Sequence, residues 1–395
     1  MSFGLDPELF VMKKGSTTAT SIHLLKNFKP QKVRSDNQNP VFSMSKTDGF
    51  AFELTNTPST CRDYIIPSMA AGLKTFLKDQ PKYNLSAKVS MPLNKMSTHG
   101  KTPIGVCNYG CIPDRDAFTL NEKTPPTESY HNKMRYIGGH IHMGLHGFPK
   151  YKTGTGLIQR APATAHKYPD GWTEVVAAAT TLQYDAYIGV PMVAILGHTN
   201  DYGEAVRRTY YGQAGSHRVK DYGVEYRVLS GALMMSPFLL SWALGAIRHV
   251  SKFGMPKFNP AYNEQYASNE KAELDTVDKV TAEVESWFKP RNKIKLTHVQ
   301  HIIDTHDVKA AQAYIKACSQ SKIYNMKFVQ IMIEADIKGI SLPTNITDAW
   351  QLNETIFNHA YPGVETLMHR GKERIKSQQF KAINLIKPTG WRYDF

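Results

Sequence analysis

Apolar and polar positions alternate with a period of two in several short runs: GLDPELFV from residue 4, DGFAFELT from residue 48, IGGHIHMG from residue 137 and YGVEYRVL from residue 222. Such alternation predicts half-buried strands, with one side chain facing a core and the next facing away. Between them lie stretches rich in Pro, Gly and Asn, among them NYGCIPDRDAFTLNEKTPPTESYHN, so this part of the chain reads as a sheet with long loops. One helical stretch interrupts it, where Trp172, Val175, Val176, Ala179 and Leu182 share a 3.6-period face between Trp172 and Gln183. After Pro256 the texture changes. Val299, Ile302, Ile303, Ala311, Tyr314, Ile315 and Cys318 fall at helical spacing, with a break expected across Asp304 to Asp307. Segments 270–288, 325–336 and 346–358 also read as helical. The pattern therefore predicts an α+β chain, with a sheet-based unit over 1–255 and a mostly helical region over 256–395 packed on or beside it.

The longest uncharged stretch, VLSGALMMSPFLLSWALGAI between Arg227 and Arg248, has about the length of a bilayer helix. Pro237, three serines and two glycines within it favour a buried helix instead, so no membrane partner is expected. The N-terminal MSFGLDPELFVMKK has no basic segment ahead of an apolar run, which argues against a secretory signal. Cys61, Cys107, Cys111 and Cys318 form no CxxC pair, too sparse a set for a disulfide scaffold. A reducing, cytoplasmic setting is the expectation.

Forty-eight Lys and Arg against 34 Asp and Glu give a net charge of +14, with most of the excess before residue 256. Two classes of partner suit that balance: a polyanion such as nucleic acid, or a smaller anion such as a nucleotide triphosphate. Composition alone does not choose between them.

The residues inside the alternating runs narrow the choice. Asp6 and Glu8, His140 and His142, and Glu225 and Arg227 stand at i and i+2 in apolar surroundings, and Glu53 occupies a similar run just after Asp48. Positions i and i+2 of a strand point to the same side. A single such pair is most often the solvated face of a sheet, where Lys, Thr and Ser are the usual residues. Four runs supplying carboxylates and imidazoles instead point to hard divalent cations. A second signal is AVRRTYYGQAGSHRVKDYGVEYRVLS, in which Arg207, Arg208, Arg218 and Arg227 are interleaved with glycines and tyrosines. Guanidinium forks suit phosphate or carboxylate oxygens, and glycine lets the backbone approach a ligand. The cluster THVQHIIDTHD reads as a polar helix end rather than a metal site, and no GxxxxGK[ST] or GxGxxG motif is present.

In order along the chain, GxDPELF, DGxxxE, CIPDRDAF, GGHIHxG, RRxYYGxAGxxR and GxEYRxLS resemble the phage-type carboxylate–amine ligases, a branch of the glutamine synthetase-like amidoligases. The resemblance covers roughly residues 3 to 250 and leaves out the last 140 or so. It implies an antiparallel sheet shaped as an open funnel with flanking helices, binding ATP and Mg2+ or Mn2+. It also implies that a carboxylate substrate becomes an acyl phosphate, which an amine attacks to give an amide. On this resemblance Glu8, Glu53, His140 and Glu225 stand where metal ligands stand, with Asp6 as a further ligand. Arg207, Arg208 and Arg218 match arginines that hold phosphates, Arg227 matches the arginine on the metal-binding strand, and His142 faces the substrate. Asp6 and Glu8 stand where the glutamine synthetase pattern has two glutamates, and no segment resembles its ammonia-site loop, which points away from ammonia as the amine. A phage-encoded chain of this kind works in the host cytoplasm.

Rival readings are a phosphotransferase on the same fold, a basic nucleic-acid-binding or -modifying protein, and a degenerate structural protein. The last is disfavoured because every expected position carries a competent residue. Nucleic-acid binding without sequence specificity, and oligomerisation, stay compatible with the sequence, and neither substrate is identified by it.

Overall fold

The computed structural model describes residues 2–92, 96–97, 114–123, 134–144, 172–197, 203–220, 222–253, 295–318 and 344–349. Its strands are β1 (Ser2–Lys13), β2 (Ala19–Thr20), β3 (Gln31–Val33), β4 (Ser43–Asp48), β5 (Ala51–Asn56), β6 (Tyr83–Ser86), β7 (Ser90–Pro92), β8 (Met96–Ser97), β9 (Asp114–Asp116), β10 (Glu122–Lys123), β11 (Met134–Tyr136), β12 (Gly139–Gly144), β13 (Ser216–Lys220) and β14 (Gly223–Tyr226). The helices are α1 (Arg62–Asp79), α2 (Trp172–Tyr184), α3 (Val190–Ile195), α4 (Glu204–Tyr210), α5 (Pro237–Phe253), α6 (Leu296–Thr305) and α7 (Val308–Cys318).

The long first strand organises the sheet. Residues Ser2 to Pro7 of β1 pair antiparallel with β12, Glu8 and Leu9 with β5, and Phe10 to Lys13 with β6. Outward from this centre the order is β10-β9-β13-β14-β12-β1-β5-β4-β3. The path is antiparallel throughout, so the α+β expectation is met.

Helices α1 and α2 pack on one face, α1 over β4 and β5 and α2 over β13 and β14. Leu5, Leu9, Phe52, Leu54, Ile141, Met143, Val224 and Tyr226 point into that core and are buried. Tyr184 at the end of α2 stacks edge-on against Tyr226, and Phe76 of α1 packs against Phe52 with Phe28 completing an aromatic cluster. Polar residues of the same strands are thereby left to the opposite face.

Two helical expectations hold closely. The face starting at Trp172 forms α2, which continues through a π-helical turn over Asp185–Gly189 into α3. The break across Asp304 to Asp307 separates α6 from α7, with His306 in the left-handed region at φ 52°. Both helices pack against α3, and α6 also meets α4. The uncharged stretch after Arg227 forms a 3-10 turn over Gly231–Met235 and the buried start of α5. Among the described residues no helix is long and apolar enough to cross a membrane. Segments 270–288 and 325–336 and the boundary near 255–260 lie outside the described residues. Of segment 346–358 only 346–349 is described, and it is helical.

Helix α1 had no counterpart in the sequence reading. Its Ile65, Ile66, Met69, Leu73 and Phe76 are all buried at helical spacing, but Pro67 stands inside the helix and breaks the usual sequence signature.

Candidate active site

The register brings the alternating residues into rows on the face opposite that core. Glu225 of β14 stands opposite His142 of β12 on one side and Arg218 of β13 on the other. Asp6 lies opposite His140 on the neighbouring row, and Glu53 lies between Glu8 and Lys46. Side chains directly opposite across a ladder share a face. Asp6, Glu8, Glu53, His140, His142, Arg218 and Glu225 therefore share one surface.

Two acidic groupings result. In the first, ligand atoms of Asp6, His142 and Glu225 lie within 4.8 Å of one another. His142 is held by Asp6 Oδ2 at 2.8 Å on Nε2 and by the Tyr222 hydroxyl at 2.5 Å on Nδ1. His140 lies deeper: Nε2 is 2.6 Å from the Tyr211 hydroxyl, and Nδ1 is 3.3 Å from Asp6 and 3.6 Å from Glu225. Burial would raise the carboxyl pKa of Glu225, but the Arg227 charge and the two histidines outweigh it and bring it down to about 2. Asp6 shows the same contest, with burial overcome chiefly by His140 and then His142, and its pKa also falls.

The second grouping behaves in the opposite way. Glu8 accepts the Gly138 N–H at 2.7 Å, and Lys46 pairs with Glu53 at 2.7 Å. Burial, followed by the charges of Asp48, Glu53 and Asp6, nevertheless pushes Glu8 up to about 8. Burial lifts Glu53 to about 7 against the pull of Lys46. Facing acids of this kind form a locus that a cation would stabilise.

The cations around the site divide into exposed and buried sets. Lys220 pairs with Glu225 Oε2 at 2.6 Å, while Arg218 and Arg227 both use Nε to pair with Asp114, at 3.3 and 2.8 Å. Arg227 also contacts Glu225. Arg218, Lys220 and Lys46 keep part of their side chains accessible. Arg207 and Arg208, in contrast, are buried. Arg207 donates to the carbonyls of Ile137 at 2.9 Å, Val228 at 3.0 Å and Leu229 at 2.5 Å, and Arg208 donates to Gly212 and Val228. Glu204, also buried, stands 3.6 Å from Arg207 and 3.7 Å from Arg208 and accepts the Ser230 hydroxyl. Here the structure sets Arg207 apart from Arg218 and Arg227, because all three of its nitrogens are committed to backbone carbonyls. Arg208 instead uses Nη1 on carbonyls and Nη2 toward Glu204, and its buried Nε has no hydrogen-bond partner among the described residues.

Tyr211 links the layers. Its hydroxyl is 2.5 Å from Arg227 Nη2 as well as 2.6 Å from His140, and both Arg207 and Arg227 lie over its ring. The sequence reading gave no role to Asp114, Glu204, Tyr211, Tyr222, Lys46 or Lys220. Asp114 lies within the CIPDRDAF motif and Tyr211 within the arginine-rich segment, so their neighbourhoods were visible. Glu204 had no signal, because a glutamate opening a short helix looks solvent-facing. In THVQHIIDTHD, His298 and His301 are exposed, Asp307 caps α7 by accepting the Ala310 N–H, and Asp304 accepts the Ala214 N–H. Cys107 and Cys111 lie outside the described residues.

Residues 175–312 match the family model described as "Phage phiEco32-like COOH.NH2 ligase-type 2". No curated protein matches the chain in a sequence search. The match makes this part of the chain similar to the phage-type carboxylate–amine ligases. It extends through α6 and into α7, beyond the stretch to which the motif resemblance was confined.

Proposed function

We propose that the chain is an ATP-dependent carboxylate–amine ligase on a glutamine synthetase-like funnel, forming an amide through an acyl phosphate. The observation that carries this reading is the single sheet face on which Asp6, His142 and Glu225 converge beside Glu8 and Glu53, bordered by Arg218, Lys220 and Lys46. Carboxylates and imidazole without sulfur are the donors that Mg2+ or Mn2+ takes. Burial and neighbouring carboxylates raise the pKa of Glu8 and Glu53, and a cation bound between them would favour their ionised form. Asp6, His142 and Glu225 would hold one divalent cation, and Glu8 with Glu53 a second. Bound cations supply charge neutralisation for phosphate oxygens that repel an incoming carboxylate.

The chain's own groups do the rest. Arg218 and Lys220 reach the solvent side of the site and meet the triphosphate, whereas Arg207 and Arg208 shape the backbone behind it. The substrate carboxylate oxygen attacks the γ-phosphorus, ADP leaves, and an acyl phosphate forms. The amine then attacks the acyl carbon, the C–O bond to phosphate breaks, and inorganic phosphate departs, taking up the proton that the nitrogen loses. Arg227, fixed by Asp114, Glu225 and Tyr211, is preorganised to stabilise the developing anionic oxygens. His142, oriented by Asp6 and Tyr222, borders the place where the amine would enter.

The test is ADP release with Mg2+ over pools of carboxylates and amines, with hydroxylamine replacing the amine in parallel. Hydroxamate appearing in step with ADP is the expected result. ADP without hydroxamate would instead mark a phosphotransferase, and no ATP consumption with any pool would sink the reading.

A further inference from the structure

The segment Ala214–Gly215 joins the arginine-rich turn to β13, and its polar backbone groups are gripped from several directions. Asp304 Oδ1 of α6 accepts the Ala214 N–H at 2.7 Å, and Lys123 Nζ of β10 donates to the Ala214 carbonyl at 2.5 Å. Asp185 Oδ2, in the π-helical turn, accepts the Gly215 N–H at 2.6 Å, and the Gly215 carbonyl accepts the Ala117 N–H at 3.0 Å. The other oxygen of Asp185 accepts the Tyr226 hydroxyl at 2.8 Å. Gly215 sits at φ 76°, a conformation that favours glycine.

The consequence reaches the site directly. Three residues beyond Gly215 stands Arg218, and Tyr226 lies between Glu225 and Arg227. Holding this corner sets where those three side chains stand. Asp304 occupies the last turn of α6, where a carboxylate opposes the helix dipole. Helix stability therefore does not account for it, but the bond to Ala214 does. It is only partly buried and makes no other hydrogen bond or ion pair among the described residues.

We propose that Asp304 is a positioning residue for the site, so that the C-terminal helix pair is a working part of the ligase and not an appendage. The proposal rests on the ligase reading for its rate assay, but the geometry can be read without it. In the full chain, Asp304→Ala removes the acceptor, while Asp304→Asn keeps an oxygen for the Ala214 N–H. The Ala variant is expected to lower kcat by about tenfold or more, as small displacements of positioned groups do. Amide hydrogen exchange at Ala214 and Gly215 should accelerate by a similar factor, about tenfold, with the core strands unchanged. The Asn variant should stay close to wild type in both readouts.

A wild-type rate in Asp304→Ala, or an Asn variant as slow as the Ala variant, overturns the proposal. So does faster exchange without any change in rate. If wild type itself turns over no carboxylate and amine pair, the ligase reading has failed. Mn2+ affinity then replaces the rate: weaker Mn2+ binding in Asp304→Ala than in Asp304→Asn upholds positioning, and equal affinity overturns it.

Discussion

Arg207 lays its guanidinium against Gly212, and the fit leaves no space for a side chain. A Cβ on Gly212 would stand 2.4 Å from Arg207 Nη1, at a residue already in the left-handed region with φ 67°. Gly212→Ala is therefore expected to displace the guanidinium and strain the backbone together, at a cost of about 2–4 kcal/mol in chemical denaturation. A stability within about 0.5 kcal/mol of wild type would contradict this packing.

Arg207→Lys tests the same layer from the other partner. An ammonium reaches at most part of the three carbonyls that the guanidinium bonds; Val228 O keeps Arg208 and Leu229 O keeps the Gly139 N–H, but Ile137 O has no other donor among the described residues. The expected result is a loss of about 2–4 kcal/mol in denaturation, with any drop in rate following the fraction folded. If stability is unchanged while turnover collapses, Arg207 meets the phosphates after all.

Asp185 supplies a pH signature. Burial raises its pKa from 3.8 to about 7 against the bonds from Tyr226 and Gly215, with Lys123 also lowering it and Asp304 raising it. The folded state thus holds a proton that the unfolded state has released. Its contribution to stability declines as pH rises from about 4 to about 7, by at most about 4 kcal/mol at 1.36 kcal/mol per unit. Asp185→Asn has no proton to lose, and its amide can donate to the Tyr226 hydroxyl while its oxygen accepts from Gly215. Unfolding free energies across that range should fall more steeply in wild type than in the Asn variant. Parallel curves would show that Asp185 is already ionised at acid pH.

The alternation in GLDPELFV and IGGHIHMG made the sheet face legible because a strand converts i, i+2 spacing into a shared side without help from the rest of the fold. Which strands would be neighbours was not legible, since register is set by long-range pairing, and so Glu53 could not be placed opposite Glu8 in advance. The arginines show a second limit. Arg207 and Arg218 are the same residue type in one glycine-rich segment, and only the fold distinguishes a guanidinium bonded to carbonyls from one at the rim. Helix α1 was hidden by Pro67, although its buried face follows the usual period.

Glu225 is the ligand candidate with the most partners, so its isosteric replacement separates charge from packing. Glu225→Gln keeps the shape but leaves Arg227, Arg218 and Lys220 without the carboxylate they share. Turnover is expected to drop by about a hundredfold or more, as for loss of a preorganised charged group, and Mn2+ binding should weaken with it. Far-UV circular dichroism should not change. Full ATP consumption by the Gln variant would remove Glu225 from the site.

Divalent cations should stabilise the protein more at alkaline than at acid pH, because of the Glu8 and Glu53 pair. With folded-state pKa values of about 8 and about 7, both raised from 4.5, these residues hold protons in the fold that the unfolded chain has lost. Stability without cations therefore falls as pH rises from 4.5 through 7 and 8, when two facing carboxylates ionise. A cation that binds the ionised pair offsets the repulsion and competes with protons below that range. At a concentration about a hundred times its Kd it adds about 2.7 kcal/mol, and this increment should shrink toward about pH 6. Thermal unfolding with and without Mn2+ at about pH 6 and about pH 8.5 measures the difference. The double variant Glu8→Gln, Glu53→Gln should lose that pair's part of the decline with pH, while Asp185 keeps its own, and should lose the pH-dependent share of the cation effect, keeping what Asp6, His142 and Glu225 contribute. An Mn2+ shift in wild type that is equal at the two pH values, or larger at the lower one, would mean that Glu8 and Glu53 hold no cation.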